Sequence, residues 1–389
     1  MTLAAAVLII EESVRRQPMI DFAVYRMGGY DILHGQDLYA TYLHGYGLPF
    51  TYPPFAALVF VPFSVIPIVA AQLLWAGLSL LALIAIIDVT RRRLPVAKNR
   101  PSIAATLLLI GPAFWLEPVR HNFALGQINL FIVLLCLLDL DPNRQRKIPQ
   151  GFLIGLAAGL KLTPLIFVPY FLITRRYRAA SYAMAGLATT IAIGSLGGLH
   201  VSVEYWRHFT ATAQRITEKE YVSNQSMDGV AMRWLRHMPD GLVWNCLVVL
   251  IVVAALWQAR RLFLHGQSFA ADLLVALVGL VISPVSWTHH FIWIVPTVAL
   301  LATSYRRFDK WVARGLVAVF YLAPIWWVPN DHHLEFRHHG WQLLAACSFF
   351  FATVVAAMLL ARQHRATVGT TGGTAGADAV TAERQPVTV

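Results

Sequence analysis

The sequence predicts an all-α integral membrane protein: a polytopic bundle of about 11–12 membrane helices, with interfacial helices in its first outer loop. Three observations carry this. Apolar residues make up 57% of the 389 and charged residues 13%, against about 25% charged in soluble domains, too few to clothe a water-facing surface. Apolar stretches of about 15–23 residues recur, the length that crosses a hydrocarbon core roughly 30 Å thick. The basic residues gather in short loops between those stretches, as topology signals do. The net charge of +11 therefore reads as orientation in a membrane, and no nucleic-acid partner is expected.

Taken in order, "MTLAAAVLII" has no charged leader and no small-residue cleavage site, so it is not a cleavable signal. Too short to span, it reads as a truncated first helix. An outer loop over 12–66 follows. Within it, the prolines of "TYPPFAALVFVPFSVIP" (51–67) bracket an apolar helix suited to the outer interface. Helices are expected over 67–89, 102–118, 127–140, 150–161, 164–174, 180–199, 241–260, 268–283, 290–304, 312–328 and 341–361. Residues 1–365 form one polytopic membrane domain, and 366–389 lack apolar periodicity and form a disordered cytoplasmic tail. No internal repeat stands out.

The basic clusters "RRRLPVAKNR", "NRQRK", "RRYR", "ARR", "YRRFDK" and "RQHR" follow successive helices. Placing them all in the cytoplasm sends 12–66, 117–126, 200–240, 284–289 and 329–340 outward. It also constrains "GFLIGLAAGLKLTPLIFVPYFLI", whose two flanks are both basic. At 1.5 Å per residue this stretch is too short for two crossings. It should be a hairpin breaking at Lys161–Pro164; the rival is one long helix with a snorkelling lysine.

Polar residues crowd the outer side. Asp21, Tyr25 and Arg26 lie in the first loop, and Glu117, Arg120, His121, Asn122, Gln127 and Asn129 in the second. Lys161 stands at the hairpin tip; Asn224, Gln225 and Asp228 lie in the long loop; Trp287, His289 and His290 occupy "SPVSWTHHFIW". Ionisable groups at membrane depth are costly and raise a functional hypothesis; groups in aqueous loops, such as Asp37 and Asp228, are solvated or capping as a rule. Lys161 has either a distant acid or a phosphate as its partner. Adjacent His289 and His290 project about 100° apart on a helix, so they do not share an ion readily. "LDLDP" (138–142) sets Asp139 and Asp141 at a DxD spacing, but at a helix end among the basic loops, and reads as helix termination before Pro142. Cys136, Cys246 and Cys347 all fall in apolar segments and read as buried thiols. No metal and no cofactor is expected.

Six blocks, in order, resemble glycosyltransferase family 87: "DFAVYR…GGYDILHGQDLYA", "FTYPPFAALVFVPFSVIP", "GQINLFIVLLCLLDL", "GLAAGLKLTPLIFVPYFLITRRYRAA", "NQSMDGVAMRW" and "SPVSWTHHFIWIVP". The likeness runs from about residue 20 to about 300. It implies a GT-C-type helical bundle whose site faces the extracytoplasmic side of the cell membrane. It further implies transfer of mannose, in α-1,2 linkage, from polyprenyl-phosphate-mannose to a mannosylated glycolipid. The family's catalytic carboxylate matches Asp21, the general base of an inverting displacement. Lys161, His289 and His290, helped by Arg26 and Arg120, would hold the donor phosphate. Gln127, Asn224, Gln225, Tyr25 and Trp287 would read the sugars, although the tryptophans serve equally as interface anchors. An arabinofuranosyl donor is the rival within the family. A secondary transporter, or an assembly protein of the cell envelope, is the rival outside it.

Overall fold

The computed structural model describes residues 19–94, 103–145, 147–214, 219–239, 241–330 and 333–363. The expected N-terminal stub and the expected tail (366–389) lie outside the described residues. Helices dominate. The described strands form one two-residue hairpin, β1 (Tyr42–Leu43) antiparallel to β2 (Leu48–Pro49).

The stretch expected as open loop around Asp21 is a helix, α1 (Ile20–Leu33). It packs on α2 (Pro54–Ser64), the short apolar helix foreseen from its prolines. Contact is backbone to backbone: a Cβ on Gly29 would lie 2.7 Å from the Phe60 carbonyl. The chain continues through α3 (Ile68–Arg93), α4 (Ile103–Phe114), α5 (Glu117–Leu125), α6 (Asn129–Leu140) and α7 (Phe152–Leu160). A 3₁₀ turn (Thr163–Ile166) leads into α8 (Phe167–Ile173), followed by α9 (Tyr177–Gly194). The expected outer loop 200–240 holds two helices instead, α10 (Leu199–Gln214) and α11 (Met227–Leu235). Then come α12 (Gly241–Leu264), α13 (Ser268–Ile282), a 3₁₀ segment (Thr288–Trp293) running into α14 (Ile294–Ala302), α15 (Arg307–Leu322), α16 (Trp341–Ala346) and α17 (Ser348–Arg362).

Among the described residues, three helices are long and apolar enough to cross a bilayer: Ile68–Arg93, Tyr177–Gly197 and Gly241–Leu264. Six other apolar segments are 10–17 residues long. Many of the apolar stretches expected as membrane helices are thus shorter than a full crossing and meet at breaks. The expected helix 312–328 begins earlier, at Arg307, and stops at Ala323, whose positive φ precedes Pro324. A proline there cannot donate to continue the ladder.

The basic loops meet at one end of the bundle. Arg93 pairs with Asp272 at 2.5 Å, both buried, joining the end of α3 to the start of α13. Arg260 Nε donates to the Ile173 carbonyl at 3.0 Å, and the Arg176 guanidinium lies 4.3 Å over the Phe263 ring. Residues 142–143, 266–270, 303–306 and 363 line a common cavity with Arg92 and Arg93. At this end, Asp139 Oδ2 accepts from Gly151 N (2.9 Å) and Ile154 N (3.0 Å). The first acid of the DxD thus caps the start of α7, a structural duty that fits its reading as a helix-end residue.

The same contacts settle the hairpin. Gly151, beside Asp139, and Ile173, beside Arg260, both lie at the basic end. The chain between them leaves and returns, with Lys161 at the tip, extended between α7 and the 3₁₀ turn. Nine residues of α7 rise only about 13 Å, so the tip stays within membrane depth. Broken backbone is tolerated there only where protein or a cavity encloses it. Small residues supply the enclosure: a Cβ on Gly155 would collide with Ala183 O of α9, and one on Gly186 with Phe152 O.

Candidate active site

A turn at the end of α5 builds the site. Gly126 adopts φ +68 and closes that helix; a Cβ there would lie 2.5 Å from Cβ of Phe22. Trp75 Nε1 donates to the Gly126 carbonyl at 2.8 Å, pinning the turn to α3. The next residue, Gln127, is thereby pressed against α1. Its Nε2 donates to Asp21 Oδ2 at 2.7 Å, and its Oε1 accepts from the Tyr25 hydroxyl at 2.9 Å. Asp21 and Tyr25 are four residues apart and share a helix face, which is why one amide reaches both. Tyr25 lies 3.1 Å from the Tyr52 hydroxyl and stacks on Phe60 at 4.6 Å.

The network runs on to the hairpin tip. Asn129, at the start of α6, donates to Gln127 Oε1 (3.2 Å), Asn122 Oδ1 (3.3 Å) and the His289 carbonyl (3.3 Å). Asn122 Nδ2 also donates to that carbonyl at 2.6 Å. Lys161 Nζ donates to Asn129 Oδ1 at 3.4 Å and sits 2.6 Å from His290 Nε2. When Lys161 is an ammonium it only donates, and His290 Nε2 then accepts. The His289 ring is 4.7 Å from that of His290 and 5.6 Å from that of His121. Buried, it has no hydrogen-bond partner at either ring nitrogen. His121 Nδ1 lies 3.0 Å from Glu117 Oε1 and 2.9 Å from Thr288 Oγ1, and Trp326 Nε1 donates to the same Glu117 oxygen at 3.0 Å.

The structure therefore brings together Asp21, Tyr25, Gln127, Lys161, His289 and His290. It sends other candidates elsewhere. Arg26 is five residues from Asp21, about 140° around the helix, and points away. Its guanidinium caps the end of α2, donating to the carbonyls of Phe63 (3.0 Å), Ser64 (3.1 Å) and Ile66 (3.1 Å). Asn224 is consumed by the backbone, donating to Lys219 O (2.8 Å) and accepting from Ser286 N (2.9 Å). Gln225 donates to Val222 O and Ala346 O, both at 2.6 Å, and accepts from Phe350 N at 3.1 Å. These three side chains hold the frame. Trp287 is half-buried, its backbone bridged to Asn224 and its ring 6.2 Å from Tyr221. Arg120 neighbours His121 on α5, and its guanidinium has no hydrogen bond or ion pair to a described residue. Tyr52, Asn122, Asn129, His121 and Thr288 belong to the cluster without having been assigned a role. The signal for Tyr52 was its place just before two prolines, which fix the backbone that presents it.

Replacing Arg26 with alanine is expected to destabilise the protein rather than disable its chemistry. Hydrogen bonds to a charged group are worth about 1.5–3 kcal/mol, so the thermal midpoint should fall while turnover per folded molecule is kept.

Electrostatically, Asp21 is suited to take a proton. Burial pushes its carboxyl above the ordinary aspartate range; the Gln127 hydrogen bond, Lys161 and His121 work the other way. Its Oδ1 accepts from no described residue, and the side chain is half-buried. A base acts when deprotonated, so activity should fall as pH drops through that raised value. Gln127→Ala removes a group that holds the value down, so the acid limb of kcat/KM is expected to move to higher pH. An unmoved limb would show that Asp21 is not the titrating base.

Comparison with known proteins shows what the chain is similar to. A family model for glycosyltransferase family 87 matches residues 50–284. Two relatives share the name polyprenol-phosphate-mannose-dependent α-(1-2)-phosphatidylinositol mannoside mannosyltransferase. That of Mycolicibacterium smegmatis is 35% identical over 394 residues, covering 91% of this chain and 87% of its own. That of Mycobacterium tuberculosis is 34% identical over 350 residues, covering 85% and 81%. A more distant likeness, 24% over 337 residues (81% and 74%), is to an α-(1→3)-arabinofuranosyltransferase of Mycobacterium tuberculosis. No solved structure matches the chain.

Proposed function

The chain belongs to glycosyltransferase family 87, and from that premise we propose that it moves mannose from polyprenyl-phosphate-mannose to a phosphatidylinositol mannoside. The new linkage is α-1,2, made with inversion in a GT-C-type bundle, on the extracytoplasmic side of the cell membrane. One observation carries the reading. A carboxylate held by a single amide, its other oxygen accepting from no described residue, faces a lysine–histidine pair across a shared Gln127–Asn129 bridge.

That geometry divides the labour of a one-step displacement. Asp21 Oδ1 takes the proton of the acceptor hydroxyl as that oxygen attacks the anomeric carbon. The bond from that carbon to the phosphate oxygen breaks, and the phosphate leaves carrying its polyprenyl chain. Charge grows on the phosphate, and the Lys161 ammonium stabilises it where it develops. His290 positions that ammonium through its Nε2. His289, with both ring nitrogens unpartnered, would meet a substrate oxygen, and Arg120, next to His121 on α5, is a reserve cation. Tyr25 and Tyr52 keep Gln127 in place.

The two ends of α3 support this sidedness. Trp75 holds the Gly126 turn at one end and Arg91, Arg92 and Arg93 close the other. Cationic loops favour the cytoplasm, which supports a site facing the opposite side, where a lipid-linked donor and a glycolipid acceptor would both arrive laterally.

The test supplies membranes carrying the protein with polyprenyl-phosphate-mannose and a phosphatidylinositol mannoside. The expected product has one more mannose, released by an α-1,2-selective mannosidase. Transfer from a polyprenyl-phosphate arabinofuranose donor with none from the mannose donor would favour the distant relative's chemistry instead.

A further inference from the structure

The other end of the bundle holds a second polar cavity. From Trp75 to Arg93, α3 advances eighteen residues, about 27 Å at 1.5 Å per residue, so this cavity is a bilayer's thickness from the Asp21 pocket. Its volume is about 410 Å³, and it opens between the ends of α3 and α6, the start of α13 and the 303–306 turn.

Three arginines line it: Arg92, Arg93 and Arg306. Arg92 is engaged by Asp88 on its own helix. The Arg93 side chain is 2% exposed; its Nη2 holds Asp272 at 2.5 Å, while Nη1 is buried without any partner. Arg306 makes no side-chain hydrogen bond or ion pair to a described residue, and it is exposed at the mouth. The lining acid, Asp309, is buried and accepts from Ser304 Oγ at 2.6 Å. The N-terminus of α13 also forms part of the wall, through Ser268, Phe269 and Ala270. Their N–H groups have no partner within the helix, and they sit at the positive end of its dipole. Beside these donors the wall is apolar, with Phe269, Leu300 and Pro142.

We propose that this cavity binds the phosphate of an anionic lipid headgroup. The phosphate oxygens meet Arg306 and the first N–H groups of α13, with Arg93 behind them, and the first carbons of the lipid lie along Phe269 and Leu300. A phosphate suits this wall better than a carboxylate, because it offers several acceptor oxygens to donors arriving from different elements. Basic pockets between membrane helices take lipid headgroups in this way. The site shares no residue with the catalytic pocket, so it stands or falls apart from the proposed reaction.

The experiment uses full-length protein in detergent, with its thermal midpoint followed against dioleoylphosphatidylglycerol in mixed micelles. Dioleoylphosphatidylcholine serves as the neutral control and inorganic phosphate as the headgroup-free arm. A saturable rise with phosphatidylglycerol is expected. Arg306→Glu should weaken its apparent affinity by about tenfold or more (~1.4 kcal/mol per tenfold), and Lys161→Ala, in the other pocket, should leave it unchanged. Arg306→Gln repeats the test without charge reversal should the glutamate variant have an altered midpoint before lipid is added. A rise produced equally by inorganic phosphate and lost in the Arg306 variants would keep the anion site but overturn the lipid as its occupant. No saturable rise, or one that both Arg306 variants retain, overturns the site.

Discussion

Asp21→Asn is expected to lower mannosyl transfer by about 10²–10⁴-fold, the usual contribution of a positioned general base, without loosening the fold. The substitution is nearly isosteric. An asparagine oxygen still accepts the hydrogen bond that Gln127 Nε2 gives to Asp21 Oδ2, so the turn at Gly126 keeps its contact with α1. Removing a half-buried charge also lifts a desolvation cost, so the thermal midpoint should hold or rise. Rate and stability thus move in opposite directions, which a merely structural aspartate would not produce. Donor binding should be kept, because the lysine and the histidines are untouched. A variant that transfers mannose at close to the normal rate would place the base elsewhere.

The second large effect is expected at Lys161. Lys161→Met should cost about 10²–10³-fold in kcat/KM, the scale seen when one donor to a developing oxyanion is lost. Both kcat and donor KM should respond, since the ammonium meets the phosphate before and during departure. A second readout separates this from collapse of the tip. Lys161 holds the Asp21 carboxyl down, so without it the carboxyl rises further above the ordinary range. The base is then protonated at higher pH, and the acid limb of the profile should shift upward as it does for Gln127→Ala. Unchanged donor KM with an unmoved acid limb would remove Lys161 from the chemistry.

Much of this architecture was legible, and for physical reasons. Charge placement is dictated by the membrane, so six basic clusters in the sequence predicted one shared end, and the Arg93–Asp272 and Arg260–Ile173 contacts lie there. The same rule, applied to the two basic flanks of residues 151–173, predicted the hairpin. Asp21, Gln127 and Lys161 were visible because polar groups beside apolar runs need partners. Arg26 turns away from Asp21 because adjacency in sequence is not adjacency on a helix, and nothing in the sequence showed that the Asp21 loop is helical. That Asn224 and Gln225 bond the backbone was not legible, because an amide can serve a main chain as readily as a sugar. The shortness of many apolar helices was not legible, because hydropathy reports apolar length and not where a helix breaks.

The hairpin carries a consequence for mapping this protein in cells. A re-entrant excursion contributes nothing to parity, whereas a scheme that scores residues 151–173 as one passage flips every later segment. Reporters fused at residues 147 and 176 should therefore give the same compartment signal. Under the flipped scheme Thr288–Trp293 would land opposite α1, and no single cleft would contain both His290 and Asp21.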